Sequence, residues 1–425
     1  MEKSVLVAAI DFSEDYSQIS YFDGLMREPE SFSTLYDEKR YLIPSMLWFD
    51  DNSKRVCFGD EAVRCEKTGK GTVVKNMISG FYAGEKVNIN GQTYEMDSVI
   101  ERYISSLISL FKGNAGKGNP KCVVFTIESL DEKMISLLYR IMGNQGYERE
   151  QISVVSHSES FLYYGLSREK ELFANEVVMF DYNKSYFKYR RFMVEKNRHP
   201  QIIDMVERDF TDDFLYEYME SDEGKAKADK LLTDFVQNEF RTHVVSTVYL
   251  TGTGFYEDWM KQSLDYICSR RRVFKGYNLY VKGACYRAME KAGYVQYKDM
   301  LFKCYGRTWA DIKLMVNGNE KPDEITLSKA GTGWYEAGAK AECITDGDKN
   351  IGFIIESPIS GISKGITIDI GSFPKRPPKT TRVEITVRYS DMDKCVISVE
   401  DKGFGEFYKA SGRIVSYTVD MKEYL

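Results

Sequence analysis

The sequence predicts a mixed α/β core made of two similar lobes, followed by a separate antiparallel β-domain. Two observations lead to this prediction. A pattern of Asp, an aromatic residue, three further positions and Tyr follows an apolar strand at Asp11 and again at Asp181. After about Asp311, short alternating strands are separated by Gly, Asn, Asp and Pro turns, which is typical of a β-sandwich or barrel. The first observation indicates a duplicated half-domain, although hydrophobic strands with Asp at a turn also arise by chance.

Length and composition exclude several classes of protein. The chain has 425 residues, which suits two or three domains. Hydrophobic residues make up 43% and charged residues 29%, as in a soluble globular protein. Lys and Arg number 58 against 64 Asp and Glu, and this net charge of −6 argues against binding nucleic acid by neutralising phosphates. No apolar stretch reaches membrane-spanning length, and the N-terminus does not read as a signal peptide. We therefore expect a cytoplasmic protein with neither nucleic acid nor membrane as a partner.

The cysteines and histidines give no metal-binding pattern. None of the eight cysteines forms a Cys-x-x-Cys pair, so we expect no structural zinc and interpret the cysteines as reduced core residues. The three histidines, His157, His199 and His243, are interpreted as packing or surface residues.

The strand and helix pattern places the domain boundary between residues 308 and 312. We predict a core over residues 1–308, with one lobe over about 1–172 and the other over 173–308. A β-domain over 312–425 follows. Within the core, Asp213–Asn238 and Phe255–Ser269 are predicted as helices.

Eight short segments of the chain resemble the sequence motifs of one protein family and occur in the same order. They are Ile10–Ser17, Ile43–Phe49, Phe58–Ala62, Val154–Leu166, Phe180–Phe187, Val248–Gly254, Val281–Ala284 and Asp401–Gly405. In this order they resemble the actin-like ATPase superfamily, and specifically the 70-kilodalton heat-shock chaperones. The resemblance implies a duplicated ribonuclease-H-like fold in the core. It also implies a C-terminal β-sandwich that binds peptide or protein.

The resemblance also assigns roles to individual residues. Asp11 and Asp181 match the carboxylates that hold magnesium-bound water, and Lys75 matches the catalytic lysine. The two phosphate loops correspond to Ser13, Glu14 and Asp15 and to Lys184 and Ser185. The adenosine side corresponds to Gly252, Gly254, Gly283 and Ala284. A functional site would take ATP or ADP with magnesium. A simpler interpretation of Asp11 and Asp181 is that each caps a hairpin turn.

Both phosphate loops depart from the family pattern. Ser13-Glu14-Asp15 stands where the family has Gly-Thr-Thr, and Asn183-Lys184-Ser185 replaces three glycines. A carboxylate about 4 Å from a phosphate charge costs about 4 kcal/mol at an effective dielectric constant of about 20. Side chains in place of glycines also occupy the space that phosphates need. We therefore expect no cofactor and no hydrolysis of ATP, and we expect Lys184 to pair with Glu14 or Asp15.

These features predict a degenerate, lidless chaperone-like protein with a pseudo-ATPase core. The twenty residues after Gly405 leave no room for the helical lid of the family, and no apolar interdomain linker is recognisable near Arg307–Val316. Two alternatives remain open. One is an active actin-fold ATPase or a sugar-kinase-like phosphotransferase, and the other is an actin-like scaffold.

Overall fold

The computed structural model describes residues 6–33, 41–115, 118–317 and 322–425. The chain forms two compact units. Unit 1 comprises Met1–Val194 and Met205–Lys298, and unit 2 comprises Glu195–Asp204 and Asp299–Leu425. In the part of the chain that the structure describes, no helix is both long and apolar enough to cross a membrane.

Unit 1 is a mixed α/β structure. Its strands are β1 (Val7–Phe12), β2 (Tyr16–Phe22), β3 (Glu30–Ser31), β4 (Ile43–Pro44), β5 (Leu47–Asp50), β6 (Val56–Phe58), β7 (Gly71–Val74), β8 (Lys86–Ile89), β9 (Gln92–Glu95), β10 (Cys122–Ile127), β11 (Ile152–Ser156), β12 (Glu176–Tyr182), β13 (Phe187–Glu195), β14 (Gln201–Asp209), β15 (Val245–Thr251) and β16 (Arg272–Lys275). Its helices are α1 (Gly59–Thr68), α2 (Met77–Ala83), α3 (Met96–Ala115), α4 (Glu132–Asn144), α5 (His157–Leu166), α6 (Asp222–Thr242), α7 (Gln262–Cys268) and α8 (Leu279–Lys291). Strand β14 begins in unit 2 and ends in unit 1.

Two six-stranded sheets of this fold share one local arrangement. The first contains the order β11-β10-β1-β2-β3, with β4 also paired to β2. The second has the order β16-β15-β12-β13-β14-β17, in which β17 is Met300–Lys303 of unit 2. In the first sheet β1 runs antiparallel to β2 and parallel to β10, and β10 runs parallel to β11. In the second, β12 runs antiparallel to β13 and parallel to β15, and β15 runs parallel to β16. The two Asp-bearing hairpins therefore hold equivalent positions in their sheets.

The first sheet gathers polar side chains where its parallel strands end. Strands β1, β10 and β11 are buried along their whole length, which explains their nearly unbroken apolar sequences. Asp11 lies opposite Thr126, and Ile127 lies opposite Ser156. Because the carboxyl ends of parallel strands meet at one edge, the residues that follow them lie side by side there. Glu128 and His157 are those residues.

Helices α5 and α8 pack very closely. A Cβ atom built on Gly283 would lie 1.9 Å from the Ser160 carbonyl oxygen. Ala284 is fully buried beside it. Only glycine therefore allows this backbone approach, and α8 is held against the helix that begins at His157.

Two predicted helices begin later than the sequence pattern indicates. Helix α6 starts at Asp222, where the Ser221 side chain accepts a hydrogen bond from the Gly224 amide and caps the helix. The segment predicted as a helix from Phe255 opens with a 3₁₀ turn, and α7 covers only Gln262–Cys268. The Asp229 side chain accepts hydrogen bonds from the amides of residues 261–263 and fixes the start of α7 there.

Unit 2 contains two antiparallel four-stranded sheets. Its strands are β17 (Met300–Lys303), β18 (Asp311–Asn317), β19 (Pro322–Ser328), β20 (Ala339–Thr345), β21 (Asn350–Glu356), β22 (Ser363–Asp369), β23 (Thr381–Asp391), β24 (Lys394–Gly403) and β25 (Ile414–Asp420). The sheet orders are β19-β18-β21-β22 and β20-β23-β24-β25, and buried side chains from both sheets belong to one core. Strand β18 occupies most of Arg307–Val316, where no apolar interdomain linker is recognisable in the sequence.

Candidate functional site

A cavity of about 570 Å³ in unit 1 is lined by both hairpin turns. It is lined by seven of the residues predicted for the site: Asp11, Ser13, Glu14, Asp15, Asp181, Ser185 and Gly252. The structure therefore brings these residues together. Aromatic side chains make up much of the remaining lining: Phe12, Tyr16, Tyr82, Tyr186, Tyr256, Tyr277 and Tyr280.

The first turn is fixed by serine hydroxyls and by a helix. The Ser13 hydroxyl donates to Asp11 Oδ1 at 3.0 Å, and the Ser45 hydroxyl donates to the Ser13 carbonyl at 2.7 Å. Glu14 accepts hydrogen bonds from the backbone amides of Ile78 and Ser79, at 3.0 Å and 3.3 Å, and from the Ser79 hydroxyl. Its carboxylate therefore satisfies free amide groups at the start of α2.

The second turn is fixed around Asp181. The Asn183 side-chain Nδ2 donates to Asp181 Oδ1 at 2.7 Å, and its Oδ1 accepts from the Thr253 backbone amide at 3.1 Å. The hydroxyls of Tyr186 and Tyr280 donate to Asp181 Oδ2 at 3.1 Å and 2.6 Å. Both oxygens of this buried carboxylate are thus occupied by the chain itself.

His157 joins two carboxylates at the end of the first sheet. Its Nε2 lies 3.0 Å from Asp11 Oδ1, and its Nδ1 lies 2.8 Å from Glu128 Oε2. Burial lowers the pKa of His157, but the two carboxylates outweigh it and raise the pKa to about 9. At neutral pH the ring is therefore an imidazolium that donates from both nitrogens.

Strand β13 supplies two further cations. Lys188 and Arg190 lie two residues apart on the strand, so their side chains are on the same face. Lys188 pairs with Glu128, and the Arg190 guanidinium lies 3.3 Å from Asp181, 3.5 Å from Glu128 and 2.7 Å from Glu207. Arg190 is only 1% exposed. One buried guanidinium thus forms ion pairs with three carboxylates.

The electrostatic environment shifts the pKa values of Glu128 and Asp181 in opposite directions. Burial alone would raise the pKa of Glu128, but the surrounding His157, Arg190 and Lys188 hold that pKa well below its usual range. Burial raises the pKa of Asp181, and Arg190 and the Tyr280 hydroxyl offset this only in part. We call Asp11, Glu128, His157, Asp181, Lys188, Arg190 and Glu207 the charge cluster.

A neighbouring cavity of about 450 Å³ holds the predicted lysines. It is lined by Lys75, Lys184, Glu14, Asp15 and Gly254. Lys75 pairs with Glu66 at 2.7 Å. The expected pairing of Lys184 with Glu14 or Asp15 is wrong, because within the described ranges no ion pair joins them. Glu14 is bound to the start of α2, and both Asp15 and Lys184 are exposed.

The predicted adenosine-side residues fall into two groups. Gly252 and Gly254 lie beside the cavities, but both are packed against Tyr182. A Cβ on Gly252 would lie 2.2 Å from the Tyr182 carbonyl oxygen, and one on Gly254 would lie 2.4 Å from the tyrosine ring. Gly283 and Ala284 line neither cavity, because they belong to the contact between α5 and α8.

Sequence reasoning missed most of the charge cluster. The sequence pattern presents His157 as a packing or surface residue and Lys188 as the replacement of a metal-water ligand, and it singles out none of Glu128, Arg190 and Glu207. A signal is present for His157 and Glu128, since each directly follows a buried strand, much as Asp11 follows an apolar run within β1. For the two cations the signal is their alternate spacing on a strand that is otherwise largely apolar on that face.

A second candidate surface lies in unit 2, in the loop between β24 and β25. Arg376 forms a two-bond ion pair with buried Asp401, at 2.6 Å and 2.8 Å, and the Ser411 amide and hydroxyl also donate to Asp401. The base of the loop is therefore anchored at both ends. Between these ends the Phe407 side chain is 95% exposed.

The fold and the site define a mixed α/β protein whose paired carboxylates at strand ends are held by its own cations. The chain belongs to a family of unknown function, DUF5716, whose C-terminal model matches residues 28–305. A second model, a domain of unknown function called DUF8552, matches residues 307–421. No curated protein matches the chain.

Proposed function

We propose that this chain is a degenerate chaperone-like protein, with an actin-like pseudo-ATPase core and a β-sandwich that binds extended peptide. One observation carries the proposal. The two carboxylates that would hold magnesium-bound water, Asp11 and Asp181, are already paired with His157 and Arg190. A hydrated divalent cation would have to displace these buried charges, which hold the carboxylates at hydrogen-bond distance.

The sheet topology supports the actin-like part of the proposal. Each of the two six-stranded sheets has an Asp-bearing hairpin beside two parallel strands in the same order. Gene duplication of one half-domain explains this symmetry, and it matches the repeat in the sequence.

The phosphate loops support the loss of nucleotide hydrolysis. A polyphosphate needs unoccupied backbone amides, which glycine-rich loops leave accessible. Here Glu14 places a carboxylate on the amides at the start of α2, and Tyr182 fills the space beside Gly252 and Gly254. These residues do not fit a magnesium–triphosphate complex, so no catalytic step is assigned to the core.

The peptide-binding part rests on unit 2. Strand β25 is an edge strand of its sheet, and its residues Ile414 and Tyr417 are 60% and 43% exposed. An edge strand offers unpaired backbone N–H and C=O groups to an extended peptide, and exposed apolar side chains beside it add affinity. The anchored loop carrying Phe407 precedes this strand directly.

Two measurements on the full chain test the proposal. With magnesium and ATP we expect no phosphate release above the background rate. Turnover that is abolished by Asp11→Ala would overturn the pseudo-ATPase assignment.

For the β-unit we expect a fluorescently labelled, unstructured apolar peptide to bind in an anisotropy titration. Tyr417→Lys and Phe407→Ser should each weaken binding at least tenfold, which corresponds to about 1.4 kcal/mol. The matched control is Ile325→Lys, because Ile325 is 49% exposed on β19, at the end of the other sheet. Equal affinities for all variants would overturn the peptide-binding assignment.

A further inference from the structure

Three potential metal ligands meet where β6 joins α1. The Sγ atoms of Cys57 and Cys65 lie 3.3 Å apart, and a Glu61 carboxylate oxygen lies within 4.8 Å of both. Cys57 lies on β6, opposite Trp48 of β5. Glu61 and Cys65 are four residues apart on α1, so their side chains are on the same face of the helix.

The spacing of these atoms suits a tetrahedral cation. Zinc binds thiolate sulfur at about 2.3 Å and carboxylate oxygen at about 2.0–2.2 Å, so two thiolates on one ion lie about 3.8 Å apart. The two sulfurs therefore need to separate by only about 0.5 Å. Soft thiolate ligands select zinc over magnesium or calcium.

We propose that Cys57, Glu61 and Cys65 bind one Zn²⁺ ion, with a water molecule in the fourth position. Cys57 is buried, Cys65 is half-buried and Glu61 is exposed, so the cation can enter along the carboxylate. Binding replaces the two thiol protons, which leave to solvent, and it changes no oxidation state. The Cys57–x₇–Cys65 spacing differs from paired zinc-ribbon motifs, which is why the cysteine pattern alone predicts no zinc.

The surroundings of the three ligands favour a cation. The Cys57 sulfur is buried, and the Cys65 sulfur and a Glu61 carboxylate oxygen lie within 4.8 Å of it. A divalent ion bound there would stabilise the two thiolates and the carboxylate together. Arg55 lies 2.7 Å from Glu61 Oε1, and the other carboxylate oxygen remains for the metal. Arg55 would then hold the Glu61 carboxylate in orientation, as hydrogen-bond partners of metal-ligating side chains commonly do.

The close sulfur approach also suits a disulfide, and the two outcomes differ in measurable ways. A disulfide would form by loss of two protons and two electrons to an oxidant such as a peroxide. Zinc uptake by the reduced protein requires no oxidant.

The test titrates the reduced full chain with Co²⁺ as a spectroscopic substitute, followed by Zn²⁺. We expect one equivalent of Co²⁺ to give a sulfur-to-cobalt charge-transfer band that Zn²⁺ abolishes. Cys57→Ser and Cys65→Ser should each remove the band. Glu61→Gln should weaken Co²⁺ binding at least about tenfold. The matched control is Cys268→Ser, since Cys268 is an exposed cysteine outside this cluster.

Three results would overturn the proposal. One is the absence of a thiolate–cobalt band with the reduced protein. Another is a band that survives both cysteine substitutions. The third is unchanged Co²⁺ affinity in Glu61→Gln, and because Glu61 is exposed, this variant is informative even if the cysteine variants fail to fold.

Discussion

The imidazole ring of His157 is stacked on the phenol ring of Tyr280, with ring centroids 4.2 Å apart and planes inclined by 5°. His157 also binds Asp11, and the Tyr280 hydroxyl donates to Asp181. The stacked pair therefore connects the two carboxylates of the repeat. Four side chains that lie on different strands and helices form one continuous contact.

The first prediction concerns pH. The pKa of His157 is raised in the folded chain from 6.5 to about 9, so its contribution to stability is fully present below about pH 6.5. It is lost as pH rises through about 9. A shift of this size corresponds to roughly 3 kcal/mol. We expect the free energy of unfolding in urea to fall between about pH 6.5 and 9. His157→Gln should be less stable at the lower pH and should have a shallower slope. Parallel slopes for the two proteins would contradict this role of His157.

The second prediction concerns Arg190. Replacing it by Met leaves Asp181 buried without its cation, and breaking a buried pair in this way costs about 3–5 kcal/mol. The control is Arg140→Met, because Arg140 and Asp97 form an ion pair with side chains 50% and 31% exposed. Such a pair contributes about 0–1 kcal/mol. Urea denaturation measures both variants, and partial recovery in Arg190→Met with Asp181→Asn would show that the unpaired carboxylate is the cause. Equal losses for Arg190→Met and the control would argue against the pairing.

The third prediction concerns two glycines in helices. Gly283→Ala places a methyl group 1.9 Å from the Ser160 carbonyl, so α8 must move away from α5 and thermal stability should drop. Gly143→Ala in α4 meets no atom within 4 Å. Because alanine restricts the unfolded chain, Gly143→Ala should stabilise by about 0.4–1 kcal/mol. Differential scanning calorimetry distinguishes the two, and a neutral Gly283→Ala would contradict the close helix contact.

The fourth prediction concerns Glu14 and its neighbour. Glu14→Ala removes the carboxylate that caps α2 and should destabilise the chain by about 1 kcal/mol. Asp15→Ala is the control, since its side chain is exposed and makes no ion pair among the described residues. Unfolding in urea should separate the two variants. If both behave alike, the contact between Glu14 and the helix contributes nothing measurable.

Much of the fold could be predicted from the sequence because it depends on local patterns. The buried segments that lead to Asp11 and Asp181 are nearly continuous apolar runs, and their repeat indicates equivalent hairpins. Helix starts were less predictable, because the start of α7 depends on Asp229, a side chain on another helix.

The site was predicted less well than the fold. Asp11 and Asp181 follow from the repeat, but their partners come from distant parts of the chain. Arg190 is an ordinary strand residue by sequence, and only the pairing of β12 with β13 places it near Asp181. The family resemblance places Gly283 and Ala284 at the adenosine side of a nucleotide site. In the structure their small size is instead needed for the packing of α8 against α5.

The arrangement of the charge cluster has a mechanical consequence. Glu128 and His157 follow strands of the first sheet, whereas Lys188 and Arg190 lie on the second. Moving the two sheets apart would pull the two cations away from Glu128 and expose unpaired charges. The ion pairs therefore resist such separation, and we expect amide hydrogens on β10 and β13 to exchange together in one cooperative opening rather than strand by strand.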